Sequence, residues 1–353
     1  MATREDFEFL AVLVHRGLLL RDVAEKMFPL LKNGADLDDL LAHHAGLAPE
    51  VIAKWRRTRG GEIPEIPGYD ILGSAGKGGT ADVFRAREKK TQRVLALKVL
   101  NLESTRNPKT RAAFIGEARL LEKLRHPGLV EGYGIAKSGS TYFAKMEFVE
   151  GHTLLELLDD DHRFDEQAAL RVVLGVAEVL EYLGSQNIVH RDIKPGNIML
   201  ASSGQMKLID LGFAGRSDEA AGDAATTVGT VQYLSPEQAR GGAAADTRSD
   251  IYSLGVTLFH LVVGRLPFES SDDRETLRMQ VMDSLKSPEL KGRGLSHHLQ
   301  YFIEKMMAKD VAARYQSWKE LIDDIRGQIE GREALDFQKQ VRERSSKGPL
   351  GRR

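Results

Sequence analysis

His190-Arg191-Asp192-Ile193-Lys194-Pro195-Gly196-Asn197 sets a carboxylate, an amide and two cations within one short turn-forming stretch. Downstream, Asp210-Leu211-Gly212 follows the apolar run Lys207-Leu208-Ile209, so Asp210 is expected at a strand end. Ser235-Pro236-Glu237 lies further on. Upstream, Leu170, Val173, Leu174, Ala177 and Leu180 fall on one face of a helix over 168–182. Earlier still, short β-rich runs at Ala81–Ala86, Val94–Val99 and Thr141–Phe148 are interrupted by one helical stretch, Lys109–Leu124, that carries Glu117. Lys98 sits among Leu95, Leu97, Val99 and Leu100, which is unusual company for a solvated surface lysine. A strand-rich small unit ahead of a helix-rich larger one is the order of an α+β protein with two segregated lobes.

Glycine is concentrated in Gly73-Ser74-Ala75-Gly76-Lys77-Gly78-Gly79-Thr80-Ala81-Asp82-Val83. Residues without a Cβ let backbone amides approach phosphate oxygens closely. As a Walker A loop it fails, because Gly79 stands where the lysine should be. A Rossmann fingerprint would need a helix directly after it, whereas Val83-Phe84-Arg85-Ala86 alternates as a strand. The expectation is a β-hairpin formed with Val94–Val99, the glycines lying at its turn.

Taken in order, the glycine loop, Ala96-Leu97-Lys98, Glu117, the stretch from His190 to Asn197, Asp210-Leu211-Gly212 and Ser235-Pro236-Glu237 match the protein-kinase signature. Residues 69 to about 330 thus resemble a Hanks-type protein kinase domain. The phrasing of the catalytic stretch, of Ser235-Pro236-Glu237-Gln238-Ala239-Arg240 and of Ser249-Asp250-Ile251-Tyr252-Ser253-Leu254-Gly255 is similar to bacterial Ser/Thr kinases. The resemblance implies a bilobal fold, with a small lobe over 69–147 and a large one over 152–330. It implies transfer of the ATP γ-phosphoryl group to protein Ser or Thr hydroxyls in bacterial signalling.

The same resemblance assigns roles. Asp192 would be the base, and Lys194 would sit near the transferring phosphate, as in kinases specific for Ser/Thr. Lys98 would hold the α- and β-phosphates, paired with Glu117. Gly76, Lys77, Gly78, Gly79 and Ala81 would form the loop over the phosphates, with Val83 and Ala96 as the apolar roof of the adenine pocket. Met146 would stand at its rear, and backbone groups of Glu147 and Val149 would hydrogen-bond the base. Asn197 and Asp210 offer the oxygen ligands that Mg²⁺ prefers, Mn²⁺ being the alternative. Glu237 and Arg314 match a buried ion pair, and Asp250 an aspartate that braces the catalytic loop. Two positions depart from the family pattern: Ala81 replaces the third loop glycine, and Leu211 replaces a phenylalanine. Neither removes a charged group. Between Asp210 and Glu237, Ser217, Thr226, Thr227 and Thr230 offer hydroxyls, and phosphate on Thr226 or Thr227 is expected to pair with Arg191, helped by Arg216. The segment 228–237 resembles the peptide-docking part of protein kinases.

The resemblance leaves residues 1–58 unaccounted for. Leu10–Leu18 resembles Leu37–Leu47 with one residue inserted, and each is followed by a second helical run. The expectation is a duplicated helix-turn-helix unit forming a small all-α module, its first helices capped by Gly17 and Gly46, with a regulatory or binding partner of its own. Residues 59–68 read as a Gly/Pro linker, and the basic tail over 331–353 reads as disordered. The His43-His44 and His297-His298 pairs lack a carboxylate to complete a metal site.

With 353 residues, 42% hydrophobic and 29% charged, the chain can bury a sizeable core. Fifty basic and 51 acidic residues leave a net charge of -1, so no global field points to nucleic acid or an anionic membrane. Cysteine is absent, which removes disulfides and thiol chemistry and fits a reducing compartment. The charged N-terminus lacks a secretory pattern, and the apolar stretch Ile251–Val263 is too short to span a bilayer, so a cytoplasmic location is expected.

Overall fold

The computed structural model describes residues 3–15, 18–58, 64–212, 214–216, 231–241, 245–285 and 295–330. Gly60 and Gly61 of the linker, Gly17, the hydroxyls at 217, 226, 227 and 230, and the tail over 331–353 lie outside the described residues. The chain divides into two compact units, one formed by residues 1–122 and 132–148, the other by 123–131 and 149–353.

The first unit opens with four helices, α1 (Arg4–His15), α2 (Arg21–Lys32), α3 (Leu37–Ala45) and α4 (Pro49–Thr58). Their apolar faces share one core, in which Leu13, Met27, Leu31, Leu37 and Leu41 are fully covered and Ile52 nearly so. No residue of that core belongs to the cluster under the following sheet. Asp36 caps α3 by accepting from the Asp38 and Asp39 N–H groups. Gly46 ends it with φ +64°, the left-handed turn for which a glycine is suited. Arg56, on α4, donates to Asp6 at 2.8 Å and to Asp38 at 2.5 Å, so one guanidinium ties the last helix to the first and third. Helix α4 also contacts the first strand of the sheet.

That sheet is antiparallel and five-stranded, in the order β1-β2-β3-β5-β4, from β1 (Tyr69–Lys77), β2 (Ala81–Glu88), β3 (Val94–Leu100), β4 (Gly132–Ser138) and β5 (Thr141–Glu147). Between β3 and β4 come α5 (Leu102–Arg106) and α6 (Pro108–Lys123). Alternation sorts its residues. Phe84, Ala86, Leu95, Leu97, Val99 and Phe143 form one apolar core with Ile66. The opposite parity places Val83 across from Lys98, and Ala96 across from Met146, on the other face.

The structure corrects the expected hairpin. The strands containing Ala81–Ala86 and Val94–Val99 do pair, but the turn between them is residues 89–93, with Gln92 at φ +60°. The glycines lie earlier, in β1 and the turn from β1 to β2. Strand β1 leaves no alternating pattern because its register slips twice, between Ile71 and Gly73 and between Ser74 and Gly76.

The second unit is mostly helical. It contains α7 (Leu154–Asp159), α8 (Glu166–Ser185), α9 (Pro236–Ala239), α10 (Thr247–Val263) and α11 (Asp273–Met282), then the helices His297–Met306 and Trp318–Ile329. Helix α10 is buried nearly all round, which explains its lack of an amphipathic stripe. Short strands β6 (Gly151–Thr153), β8 (Ile198–Ala201) and β9 (Met206–Leu208) form a three-stranded sheet, and β7 (Ile188–Val189) pairs with β10 (Gly215–Arg216). Among the described residues no helix is long and apolar enough to cross a membrane.

Candidate active site

In the first unit, β3 delivers Lys98 to the sheet face that also carries Val83, Ala96 and Met146. Its ammonium meets the Glu117 carboxylate of α6 at 2.7 Å, with both side chains largely covered. A charge-assisted bond of that kind fixes where the lysine points. Gly76 and Lys77 end β1 opposite Val83 and Asp82. A Cβ on Gly78 would lie 2.8 Å from the Ala81 carbonyl oxygen, so the turn requires glycine there. Ala81 opens β2 with its methyl buried and is absent from the positive-φ residues, so an extended backbone accommodates the replaced glycine. Met146 is buried, and Glu147 closes β5 opposite Leu95.

In the second unit, the carboxylate of Asp192 is 94% covered yet richly bonded. It accepts from the Lys194 ammonium at 2.8 Å and from the Asn197 amide at 2.9 Å. The same amide nitrogen donates to the Asp192 carbonyl at 2.8 Å, leaving its Oδ1 as the amide's acceptor end. The Ile209 N–H donates to the Asn197 carbonyl at 3.0 Å, which ties Asn197 to the residue preceding Asp210. The His190 ring meets the Asp210 carbonyl at 2.7 Å, while the Asp210 carboxylate accepts from the Gly212 N–H. Leu211 is buried beside it, filling the place of the phenylalanine with an apolar side chain. Val149 is buried in this unit.

The loop carrying Asp192 is held under strain. Arg191 has φ +68°, a conformation that costs a non-glycine residue about 1–3 kcal/mol unless its surroundings enforce it. Asp250, from α10, enforces it by accepting from the His190 N–H at 2.8 Å and the Arg191 N–H at 2.7 Å. Burial raises the Asp250 carboxyl above the usual carboxylate range, a rise that the charges and N–H groups of His190 and Arg191 oppose. Nearby, Arg314 binds Glu237 through both oxygens, at 2.7 and 2.8 Å.

The sequence reading missed three holding residues. The ring of His190 bridges to Asp210. Gln238, besides capping α9 with Ser235, donates to the Arg191 carbonyl at 3.2 Å. Asn101 donates its side-chain amide to the Gly79 carbonyl at 2.7 Å. Each acts on a backbone group distant in sequence, which leaves no spacing to read.

The family model for the protein kinase domain matches residues 69–324. The chain belongs to the protein kinase family. It is similar to a probable serine/threonine-protein kinase of Streptomyces coelicolor, 34% identical over 270 residues that cover 74% of this chain and 40% of that protein. It is also similar to the serine/threonine-protein kinase PknB of Mycobacterium tuberculosis, 32% identical over 264 residues, or 73% of this chain and 42% of that one. A third relative is the serine/threonine-protein kinase PrkC of Bacillus subtilis, 32% identical over 259 residues, or 73% and 40% of the two chains. The matched segment thus spans about two fifths of the length of these curated relatives.

Proposed function

We propose that the chain is an ATP-dependent protein serine/threonine kinase acting in bacterial signalling. The observation that carries this reading is the buried Asp192 carboxylate, gripped by Lys194 and Asn197 in a loop strained at Arg191. Phosphoryl transfer asks a protein for positioning and charge stabilisation more than covalent work. Asp192 takes the proton of the substrate hydroxyl as its oxygen attacks the γ-phosphorus; the bond to the β–γ bridging oxygen breaks, and ADP leaves. Lys194 balances charge on the group in transit, and Lys98, steered by Glu117, holds the α- and β-phosphates.

Asn197 and Asp210 suit a hard cation, because both can offer it oxygen: the amide nitrogen of Asn197 is already engaged with Asp192, and Asp210 carries a carboxylate two residues after β9. They would hold Mg²⁺, or Mn²⁺ in its place, and the ion when bound neutralises phosphate charge. The adenine would lie against Val83, Ala96 and Met146 and hydrogen-bond the backbone at Glu147 and Val149.

Incubating the full chain with Mg²⁺ and γ-labelled ATP should label a generic basic protein, and Lys98→Ala should abolish the label. Mass spectrometry of the incubated wild type should find phosphate on Thr226 or Thr227, the proposed sites of autophosphorylation. Undiminished labelling by Lys98→Ala would sink the site assignment.

Residues 1–58 are proposed as a binding or regulatory module on the linker 59–68, and their separate apolar core supports this. Deleting residues 1–60 should leave melting temperature and activity toward the generic substrate unchanged. Because α4 contacts β1, a truncated protein that melts many degrees lower would instead make the helices part of the kinase fold.

A further inference from the structure

The tip of the glycine loop is gripped from beyond its own strands. Asn101, immediately after β3, donates its Nδ2 to the Gly79 carbonyl at 2.7 Å and its backbone N–H to the Thr80 carbonyl at 3.0 Å. Across a planar trans peptide the C=O and the following N–H point in opposite directions. Drawing the carbonyls of Gly79 and Thr80 toward Asn101 therefore turns the N–H groups of Thr80 and Ala81 away from it. The space beside Gly79 is open, since a Cβ there would meet nothing within 4 Å.

The same side chain has a second task. Its Oδ1 accepts from the Ser104 N–H at 2.8 Å, which caps α5. Capping alone does not call for asparagine, since serine or aspartate serves a helix N-terminus comparably. What asparagine adds is a donor on a separate atom, and that donor is spent on Gly79.

We propose that Asn101 is a positioning residue for the nucleotide: by holding two successive loop carbonyls, it aims the loop's amides at the phosphates of ATP. This rests on the reading of residues 76–81 as the phosphate loop, so the experiment separates the two. Asn101→Ser keeps a neutral cap for α5 and removes the amide that reaches Gly79. Asn101→Ala removes both. Gly78→Val drives a side chain into the Ala81 carbonyl and tests the loop itself.

For Asn101→Ser in the full chain, the dissociation constant of a fluorescent ATP analogue and the KM for ATP should rise about three- to tenfold, the effect of one exposed hydrogen bond. Its melting temperature should stay within about 2 °C of wild type, with the KM for the protein substrate unchanged. Asn101→Ala should show the same nucleotide defect and melt about 3 °C lower. Wild-type ATP affinity in Asn101→Ser, alongside weakened binding in Gly78→Val, overturns the role of Asn101 and leaves the loop reading standing. A fall in melting temperature equal to that of Asn101→Ala also overturns it, because the effect then travels through α5. Wild-type affinity in Gly78→Val removes the phosphate-loop reading and this inference together.

Discussion

Asp192→Asn is expected to lower phosphoryl transfer by about a hundred- to ten-thousandfold, the range that a positioned general base supplies. The dissociation constant for ATP should change by less than about threefold, since the phosphates are assigned to Lys98 and the glycine loop. The bonds around residue 192 explain the asymmetry. Its carboxylate accepts from Lys194 at 2.8 Å and from Asn197 at 2.9 Å, both of which are donors only at those atoms. An amide there offers one acceptor oxygen and an NH2 group, so a donor faces a donor and the lysine loses its counter-charge. It also lacks the basicity to take the hydroxyl proton. Single-turnover transfer from γ-labelled ATP and titration with a fluorescent analogue measure the two quantities separately. Retention of more than a tenth of wild-type transfer would remove Asp192 from the role of base.

Much of this site was legible in the sequence because its chemistry sits in contiguous or regularly spaced residues. Asp192, Lys194 and Asn197 fall within one turn of chain, and their contacts follow from that proximity. Lys98 stood out because its strand is otherwise apolar, and its partner Glu117 falls within a predicted helix. Residues 4–58 form four helices, where the sequence was read as two helix pairs. What failed was the placement of the glycines, because a strand interrupted by Gly73 and Gly76 and twice out of register carries no period-2 signal. Bonds between residues distant in sequence were equally invisible. Asn101 reaches back 22 residues to Gly79, Gln238 reaches 47 residues to Arg191, and Arg56 spans 50 residues to Asp6. Side-chain identity permits such bonds, but only the packed structure selects the partner.

Arg314→Ala should be the most destabilising single change in the second unit, lowering stability by about 3–5 kcal/mol and the melting temperature by roughly 10 °C. The Arg314 side chain is wholly buried. Besides its two bonds to Glu237, it donates to the carbonyls of Ala308 at 2.7 Å and Arg248 at 2.9 Å, and it lies over the Tyr252 ring. Removing it strands a largely covered carboxylate and two carbonyls, whereas lysine cannot reproduce the bidentate fork, so Arg314→Lys should rescue little. The pair also sets an acid limit. Burial alone would raise the Glu237 carboxyl, but the hydrogen bonds and charge of Arg314, with the Ser249 hydroxyl at 2.7 Å, overcome it and hold the group down at about 2. A carboxyl whose folded value is depressed from 4.5 to about 2 contributes stability that is fully present above about pH 4.5. That contribution drains away as the pH falls toward 2. Melting curves between pH 7 and pH 2 should therefore show a steeper acid decline for wild type than for Glu237→Gln, which starts lower at pH 7 and falls less. Parallel pH profiles for the two proteins, or an Arg314→Ala variant melting within about 2 °C of wild type at pH 7, would show that the pair does not hold the unit together.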